Sequence, residues 1–243
     1  MSLASLESLL RRAINHCGFD LTRYRPEASE AGRLARMLQH NEVNLVIDVG
    51  ANVGQYARRL RQAGYAGRIL SFEPLLEAHA RLLALSRNDP HWTVGPRVAI
   101  GDREHEVELH ISGNSVSSSV LEMLDSHIAA APGSEYVATE RVSMATLDGL
   151  LREHLHKDVR PFLKVDTQGF EDRVLAGASA VLAQARGVQL ELSLVSLYEG
   201  QQLFEPLMDH LSRTGFSVWA IWPGFCDAAT GRMLQVDAVF FRS

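Results

Sequence analysis

The sequence predicts an α/β fold: a doubly wound, mostly parallel sheet covered by helices, ending in an antiparallel pair. Two observations predict it. From Asn44 onward short apolar runs alternate with helical stretches, and the last two runs, FSVWAIW and VDAVFF, are joined by PGFCDAATGRMLQ, which has no helical pattern. Strands alternating with helices imply right-handed crossovers and parallel neighbours. A short helix-free connection makes antiparallel ones.

Taken in order, Leu3, Leu6, Leu9, Leu10, Ala13 and Ile14 recur at helical spacing until Gly18 stops them. A second helical stretch runs from about Ser29 to Gln39, with Leu34, Met37 and Leu38 on one side. Residues 1–43 therefore read as a helical extension, a cap or an oligomer surface (a homodimer being the simplest case), before a domain at 44–243. That domain opens with LVIDVG, a short apolar run ending in an acid and a glycine, as a buried parallel strand does. A helix over 54–63, the strand RILSFE and a helix over 75–87 follow. Further strands fit WTVGPRVAI, EVELHI, RVSMAT, PFLKVD and VQLELSL, and further helices 147–156, 171–184 and 204–214. Residues 113–136 interrupt the alternation with a serine cluster, a short helix and a Pro-Gly turn. Insertions of that length in a compact domain are often lids or binding segments.

Composition narrows the class. At 243 residues, 46% hydrophobic and 22% charged, the chain fits one large domain with an appendage and excludes wholesale disorder. It holds no run of about 18 apolar residues, so no helix is expected to span a bilayer. Glu7, Arg11 and Arg12 interrupt the apolar core that a secretory signal requires. A net charge of −5 gives no global basic surface for nucleic acid, and Arg58, Arg59 and Arg61 read as a solvated helix face. Cys17 and Cys226 make neither a disulfide framework nor a zinc site and fit a reducing, cytoplasmic setting.

The strongest chemical signal is Asp48-Val-Gly50-Ala-Asn52-Val-Gly54, directly after a strand and opening a helix. Glycines let the backbone turn sharply and approach a ligand, while the helix start presents free N–H groups. A dinucleotide-binding turn reads G-x-G-x-x-G, whereas here three residues separate Gly50 from Gly54. Asp48 would repel a pyrophosphate and suits an ammonium or hydroxyl. Glu73, at the end of the second strand, stands where an acid accepts ribose hydroxyls. The combination matches a site for S-adenosylmethionine, a nucleoside carrying a cationic amino acid. The alternative for the glycines is a purely structural turn.

VIDVGANVGQYARRLR, ILSFEP, VAIGDREHEVELHI, NSVSSS, TLD at 146–148, FLKVDTQGFEDRVLAGA and LELSLVSLYEGQ together resemble the FkbM family of class I O-methyltransferases, in the family's order and across 44–243. The resemblance implies a seven-stranded Rossmann-like sheet, S-adenosylmethionine as methyl donor, and hydroxyl acceptors on sugars, polyketides or related metabolites. Position by position, it gives Asp48, Gly50 and Gly54, with Asn52 between them, the cofactor's methionine part, Glu73 its ribose and Asp102 its adenine amino group. For Asp102 a turn-forming role in D-R-E-H is the equal alternative. Lys164 and Asp166, on one side of a strand with Val165 on the other, fall where such enzymes keep active-site residues. A structural ion pair is the bland alternative for them. The family more often has glutamate where this chain has Gln168, which puts any role needing that carboxylate in doubt.

Methyl transfer to a hydroxyl requires alignment and removal of the hydroxyl proton. Asp166 is the expected base or hydroxyl-orienting residue, with Lys164 moderating its charge. Asp166 and Glu191 could offer hard oxygen ligands to Mg2+, but without a dense ligand cluster a divalent cation is left open and not predicted. His105, His110, His154 and His156 show no metal spacing. His127 is the candidate acceptor-side histidine, although the sequence favours an exposed polar side chain there. Ser115, Ser117, Ser118 and Ser119 could line an acceptor pocket or make a flexible loop. Tyr198, Trp219 and Trp222 could stack on a sugar, with core positions favoured for the tryptophans. The rivals to the methyltransferase are a catalytically degenerate scaffold and an NAD(P)-dependent oxidoreductase. A nucleic-acid methyltransferase is disfavoured by the acidity and by the lack of an N-P-P-Y-like motif.

Overall fold

Five consecutive buried residues, Leu45–Val49, form an interior strand of the sheet, with strands on both sides and helices on both faces. In the computed structural model, which describes residues 3–19 and 28–242, the elements follow as α1 (Leu3–His16), α2 (Glu30–His40), β1 (Leu45–Val49), α3 (Gln55–Gln62), β2 (Arg68–Phe72), α4 (Leu76–Ser86), β3 (Trp92–Val94), β4 (Ala99–Ile100), β5 (His105–Ser112), α5 (Asp125–Ala130), β6 (Tyr136–Ala145), α6 (Leu147–Leu151), β7 (Pro161–Val165), α7 (Glu171–Ala176), α8 (Ser179–Gln184), β8 (Gly187–Ser193), α9 (Phe204–Arg213), β9 (Phe216–Pro223) and β10 (Gln235–Arg242). A seven-stranded sheet runs β3-β2-β1-β7-β8-β10-β9, and a smaller sheet runs β4-β6-β5. In the large sheet only β10 is antiparallel, to both β8 and β9. The doubly wound class expected from the sequence is therefore the observed one.

Strand alternation sends odd and even residues to opposite layers. Ile47, Val49, Leu163, Val165, Val188 and Leu190 pack against Leu151, Val174, Val181 and Leu211 from α6, α7, α8 and α9. On the other face Val46, Phe162, Val239 and Phe241 pack against Leu34, Leu38, Ala57, Leu60 and Leu82 from α2, α3 and α4. Ser29 caps α2, its Oγ accepting the Gly32 N–H at 3.0 Å. So α2, within the 1–43 stretch, contributes to the central core. In α1 the side chains from Ser8 onward are exposed apart from Ile14. Residues 1–2 and 20–27 of that stretch lie outside the described residues.

Several element boundaries differ from the sequence reading. WTVGPRVAI is two strands in different sheets, because Gly95-Pro96 turns the chain after Gly95 N–H reaches the Ser71 carbonyl at 2.9 Å. EVELHI and RVSMAT join the small sheet, and β6 begins earlier, at Tyr136. The stretch 171–184 is two helices: at Gly177 the chain passes so close to Gly101 that a Cβ would lie 1.9 Å from its carbonyl oxygen. Helix α6 stops at Leu151, short of His156. Trp222 is buried, but Trp219 on the edge strand is 41% exposed, contrary to the core position favoured for it.

A polar row crosses the α2–α4 face of this apolar sheet. Ser71, Asp48, Lys164 and Gln189 sit in register on β2, β1, β7 and β8. All four are buried. The Lys164 ammonium lies 3.1 Å from Asp48 Oδ1 and 3.5 Å from Asp166 Oδ2. Ser71 Oγ donates to Asp48 Oδ2 at 3.3 Å and receives the Trp92 indole N–H at 3.0 Å. Tyr56 of α3 covers the row, its ring 5.3 Å from the ammonium and its hydroxyl donating to Gln189 at 2.9 Å. Burial opposes the charge on Lys164, but Asp48 and Asp166 outweigh it and hold the ammonium pKa above the ordinary lysine value.

Removing one member of a buried ion pair strands the other. Lys164→Ala is expected to lose about 3–5 kcal/mol in urea unfolding at neutral pH, and adding Asp48→Asn is expected to restore part of it. Leu38→Ala is expected to lose about 2–5 kcal/mol; a loss below about 1 kcal/mol would show that α2 is not part of the central core.

Candidate active site

A cavity of about 300 Å3 opens at the carboxyl ends of β1, β2, β7 and β8. In open α/β sheets this is where ligands bind. Its floor is the loop after β1. Gly50 has φ +74°, and a Cβ there would stand 1.8 Å from the Asp166 carbonyl oxygen, so only glycine fits between the loop and β7. Asn52 follows with φ +47°, a conformation asparagine tolerates better than most residues. Its N–H donates to Glu73 Oε2 at 2.8 Å. Gly54 has φ +85° and opens α3, and its Cβ would meet the Trp92, Leu82 and Leu85 side chains at 2.8–3.0 Å. Gly54 is thus held by packing against α4 and β3 and does not line the cavity.

Glu73 lines the cavity at 5% exposure. Its Oε1 accepts the Leu75 N–H at 2.9 Å, so the carboxylate clamps both the glycine loop and the start of α4. Burial pushes its pKa up to about 7, against the two backbone hydrogen bonds. Beside it, Asn52 Oδ1 and Gln55 Oε1 are buried acceptors with no partner, and both residues line the cavity. Asp48, 0% exposed, and Lys164 stand one layer behind: neither lines the cavity, and Lys164 Nζ donates to the Gly50 carbonyl at 2.9 Å. The structure therefore brings Gly50, Asn52, Glu73 and Asp166 to the cavity wall and places Asp48 and Lys164 beneath it.

The opposite wall is built around the turn after β7. Gln168 has φ +56°, and Nε2 donates to Asp166 Oδ1 at 2.9 Å and to Glu191 Oε2 at 2.6 Å. Gln235 Nε2 also donates to Glu191 Oε2, at 2.8 Å. Glu171 ties the turn down, its Oε1 accepting the Thr167 N–H at 2.8 Å, the Thr167 hydroxyl at 3.1 Å and the Gly169 N–H at 3.3 Å. Burial raises its pKa to about 7. Burial, with Asp166 next, likewise pushes the Glu191 carboxyl well above the ordinary glutamate value. The Gln168 amide stands between Asp166 and Glu191, the two residues considered for a cation, and turns its N–H groups toward both. Among the described residues no group of three or more His, Cys, Asp or Glu side chains is arranged to hold a metal ion.

Residues 113–136 close the cavity from above, with Asn114 to Ser118 and His127 on its wall. His127 is buried, contrary to the exposed position the sequence favours: Tyr198 and Phe225 pack against its ring at 5.1 and 5.4 Å. Its Nε2 lies 3.2 Å from Ser117 Oγ, and burial lowers its pKa. Ser119 Oγ donates to the Gln168 carbonyl at 2.7 Å, so the serine cluster is pinned to the β7 turn. Tyr198 is fully buried and is a brace, with no face free for stacking; its hydroxyl lies 2.9 Å from Gln168 Oε1. Asp102 lies apart, in a second cleft, 3.2 Å from Arg173 Nη1. Arg61 is engaged with Asp89 at 2.6 Å, while Arg58 and Arg59 are exposed.

Sequence reasoning missed Gln55, Asn114, Phe225 and Gln235 as cavity residues. Gln55 directly follows the glycine motif, and Asn114 opens the serine cluster, so both carried a local signal. Phe225 and Gln235 carried none, because Gln235 reaches the cavity through the β8–β10 register and Phe225 through its carbonyl, which accepts the Leu234 and Gln235 N–H groups.

A family model described as the methyltransferase FkbM domain matches residues 48–218. The 2-O-methyltransferase NoeI of Sinorhizobium fredii (strain NBRC 101917 / NGR234) is 26% identical over 180 residues, covering 69% of this chain and 70% of the relative. Among solved structures, magnesium protoporphyrin IX methyltransferase (ChlM) from Synechocystis PCC 6803, with S-adenosylmethionine bound, is 14% identical with a TM-score of 0.46, over 97% of this chain and 96% of that one. An rRNA methylase from Streptococcus thermophilus is 9% identical with a TM-score of 0.46, over 91% and 99%. Likenesses this distant say nothing about an acceptor. The matched family segment runs from Asp48 under the glycine loop to Val218 in β9, well over half of the sequence, and the chain belongs to the FkbM methyltransferase domain family.

Proposed function

We propose that the protein is an S-adenosylmethionine-dependent O-methyltransferase acting on a hydroxyl of a sugar or natural-product acceptor. The observation that carries the cofactor half is the pair of unpartnered buried acceptors, Asn52 Oδ1 and Gln55 Oε1, beside the Glu73 carboxylate in one cavity. Two carbonyl oxygens suit the ammonium of an amino-acid moiety, and an acid at the end of β2 suits ribose hydroxyls. Val98, Ile100 and Phe170 supply an apolar slot for a purine. When bound, the sulfonium supplies an electrophilic methyl group. O-methylation draws support from the name of the NoeI relative.

The chain's own residues do the positioning. Lys164 fixes the Gly50 carbonyl and Asp166, and Gln168 holds the other Asp166 oxygen. Asp166, its side chain 37% exposed, orients the acceptor hydroxyl. The 113–136 segment shields the cavity from water. The gap between Asp166 and Glu191 holds an amide donor, which a cation would have to displace, so the proposed transfer routes no step through a metal.

Glu73 takes a pKa near 7, and its ionised form is the better acceptor for two hydroxyls. Affinity for S-adenosylmethionine is therefore expected to rise with pH through about 7. Glu73→Gln is expected to flatten that rise and weaken binding about tenfold or more, from the loss of a charged hydrogen-bond acceptor, by calorimetry. Gly50→Ala is expected to abolish binding, because its Cβ has no room beside Asp166. A wild-type protein that gives no calorimetric signal with S-adenosylmethionine would refute the reading.

A further inference from the structure

The geometry points to Glu191 as the catalytic residue that takes the acceptor's hydroxyl proton, with Gln168 and Gln235 as its positioning residues; this deepens the proposed function and rests on it. Both hydrogen bonds to the Glu191 carboxyl fall on one oxygen: Oε2 accepts from Gln168 Nε2 at 2.6 Å and from Gln235 Nε2 at 2.8 Å. The two amides come from different elements, the β7 turn and the first residue of β10. Together they fix the carboxyl plane and leave Oε1 for a ligand in the cavity that Glu191 lines. Asp166 is differently placed. Gln168 Nε2 donates to its Oδ1 at 2.9 Å, and the Lys164 ammonium, 3.5 Å from Oδ2, pairs with its charge.

The surroundings give Glu191 its proton affinity. Facing it are Asp166 and Lys164 from β7 and its turn, Glu171 from α7, Asp237 from β10 and Tyr198 from the segment after β8. One ammonium cannot neutralise that many carboxyls, and Lys164 lies nearest to Asp48. Enzymes tune a carboxylate base toward the working pH by this kind of burial and like-charge crowding. As the acceptor oxygen bonds to the methyl carbon, the hydroxyl proton moves to Glu191 Oε1. The carbon–sulfur bond breaks with its electron pair on sulfur, and Glu191 returns the proton to water.

The test uses Glu191→Gln, which keeps the shape and can still accept both amides, and Glu191→Asp, which keeps the acid. In ligand-free protein labelled with 13C at the glutamate carboxyls, the resonance missing from Glu191→Gln is expected to titrate above the ordinary value of about 4.3. In transfer assays with methyl-tritiated S-adenosylmethionine and a set of methyl glycosides as probes, Glu191→Gln is expected to lose about 100-fold or more in kcat. It is also expected to lose the rise of rate with pH, which Glu191→Asp retains, while calorimetric affinity for S-adenosylmethionine stays within about twofold. A resonance titrating in the ordinary range overturns the proposal, as does transfer by Glu191→Gln within threefold of wild type. Wild type that binds S-adenosylmethionine but labels none of the glycosides overturns the assignment for hydroxyls of that class. Failure of wild type to bind S-adenosylmethionine overturns the cofactor reading and this assignment with it, an outcome separate from the others.

Discussion

One buried ammonium organises the end of the sheet where the cavity opens. Lys164 reaches the β1 loop through the Val49 and Gly50 carbonyls, at 3.3 and 2.9 Å, and pairs with Asp48 at 3.1 Å. Its stem is part of β7, so a single side chain fixes the separation between the loop that forms one cavity wall and the turn that forms the other. Gly50 tolerates no Cβ because that separation is so small. A charge here is costly unless paired, and the polar row across β2, β1, β7 and β8 supplies the pairing without interrupting the apolar layers on either side.

Two carboxyl groups extend the same arrangement outward. Glu73 collects the N–H groups of Asn52 and Leu75, and Glu171 those of Thr167 and Gly169. Each holds a left-handed residue in place, Asn52 in one loop and Gln168 in the other. Strained backbone of this sort persists where the surroundings over-determine it, and it clusters at ligand sites. Both acids sit near neutrality because burial opposes their charge. The loops are therefore tied by groups whose charge state changes around pH 7.

The parts of this site that the sequence reveals are those set by local spacing. The strand ending in Asp48, the left-handed turn at Gly50 and the acid closing β2 lie within a few residues of their own signals. Strand alternation, a property of the sequence alone, also puts Lys164 and Asp166 on one side of their strand. It cannot show that Lys164 points into the helix-covered layer, so Lys164 falls beneath the cavity, with Asp48, and not in it. Gln235 is invisible because it reaches Glu191 only through the antiparallel β8–β10 register, 44 residues away. The break at Gly177 depends on a close passage to Gly101, and the separate β4-β6-β5 sheet depends on the turn at Gly95-Pro96. Each of these is a long-range contact that overrides a local pattern.

The inserted segment shows how a polar wall is made without charge. Asn114 Oδ1 accepts the Ser117 N–H at 3.0 Å and the Ser112 hydroxyl at 2.9 Å, so its nitrogen must be the donor to Ser117 Oγ. The Ser117 hydroxyl also lies 3.2 Å from His127 Nε2, within hydrogen-bond distance, so the ring is tied to the serine cluster. Burial lowers the pKa of this imidazole and keeps it neutral. A second proton would put an unpaired cation between Tyr198 and Phe225. The wall contributed by the insertion thus offers amides, hydroxyls and a neutral imidazole. An acceptor held against it finds hydrogen-bonding groups there, and meets ionisable carboxyls on the facing β7–β8 side, at Asp166 and Glu191.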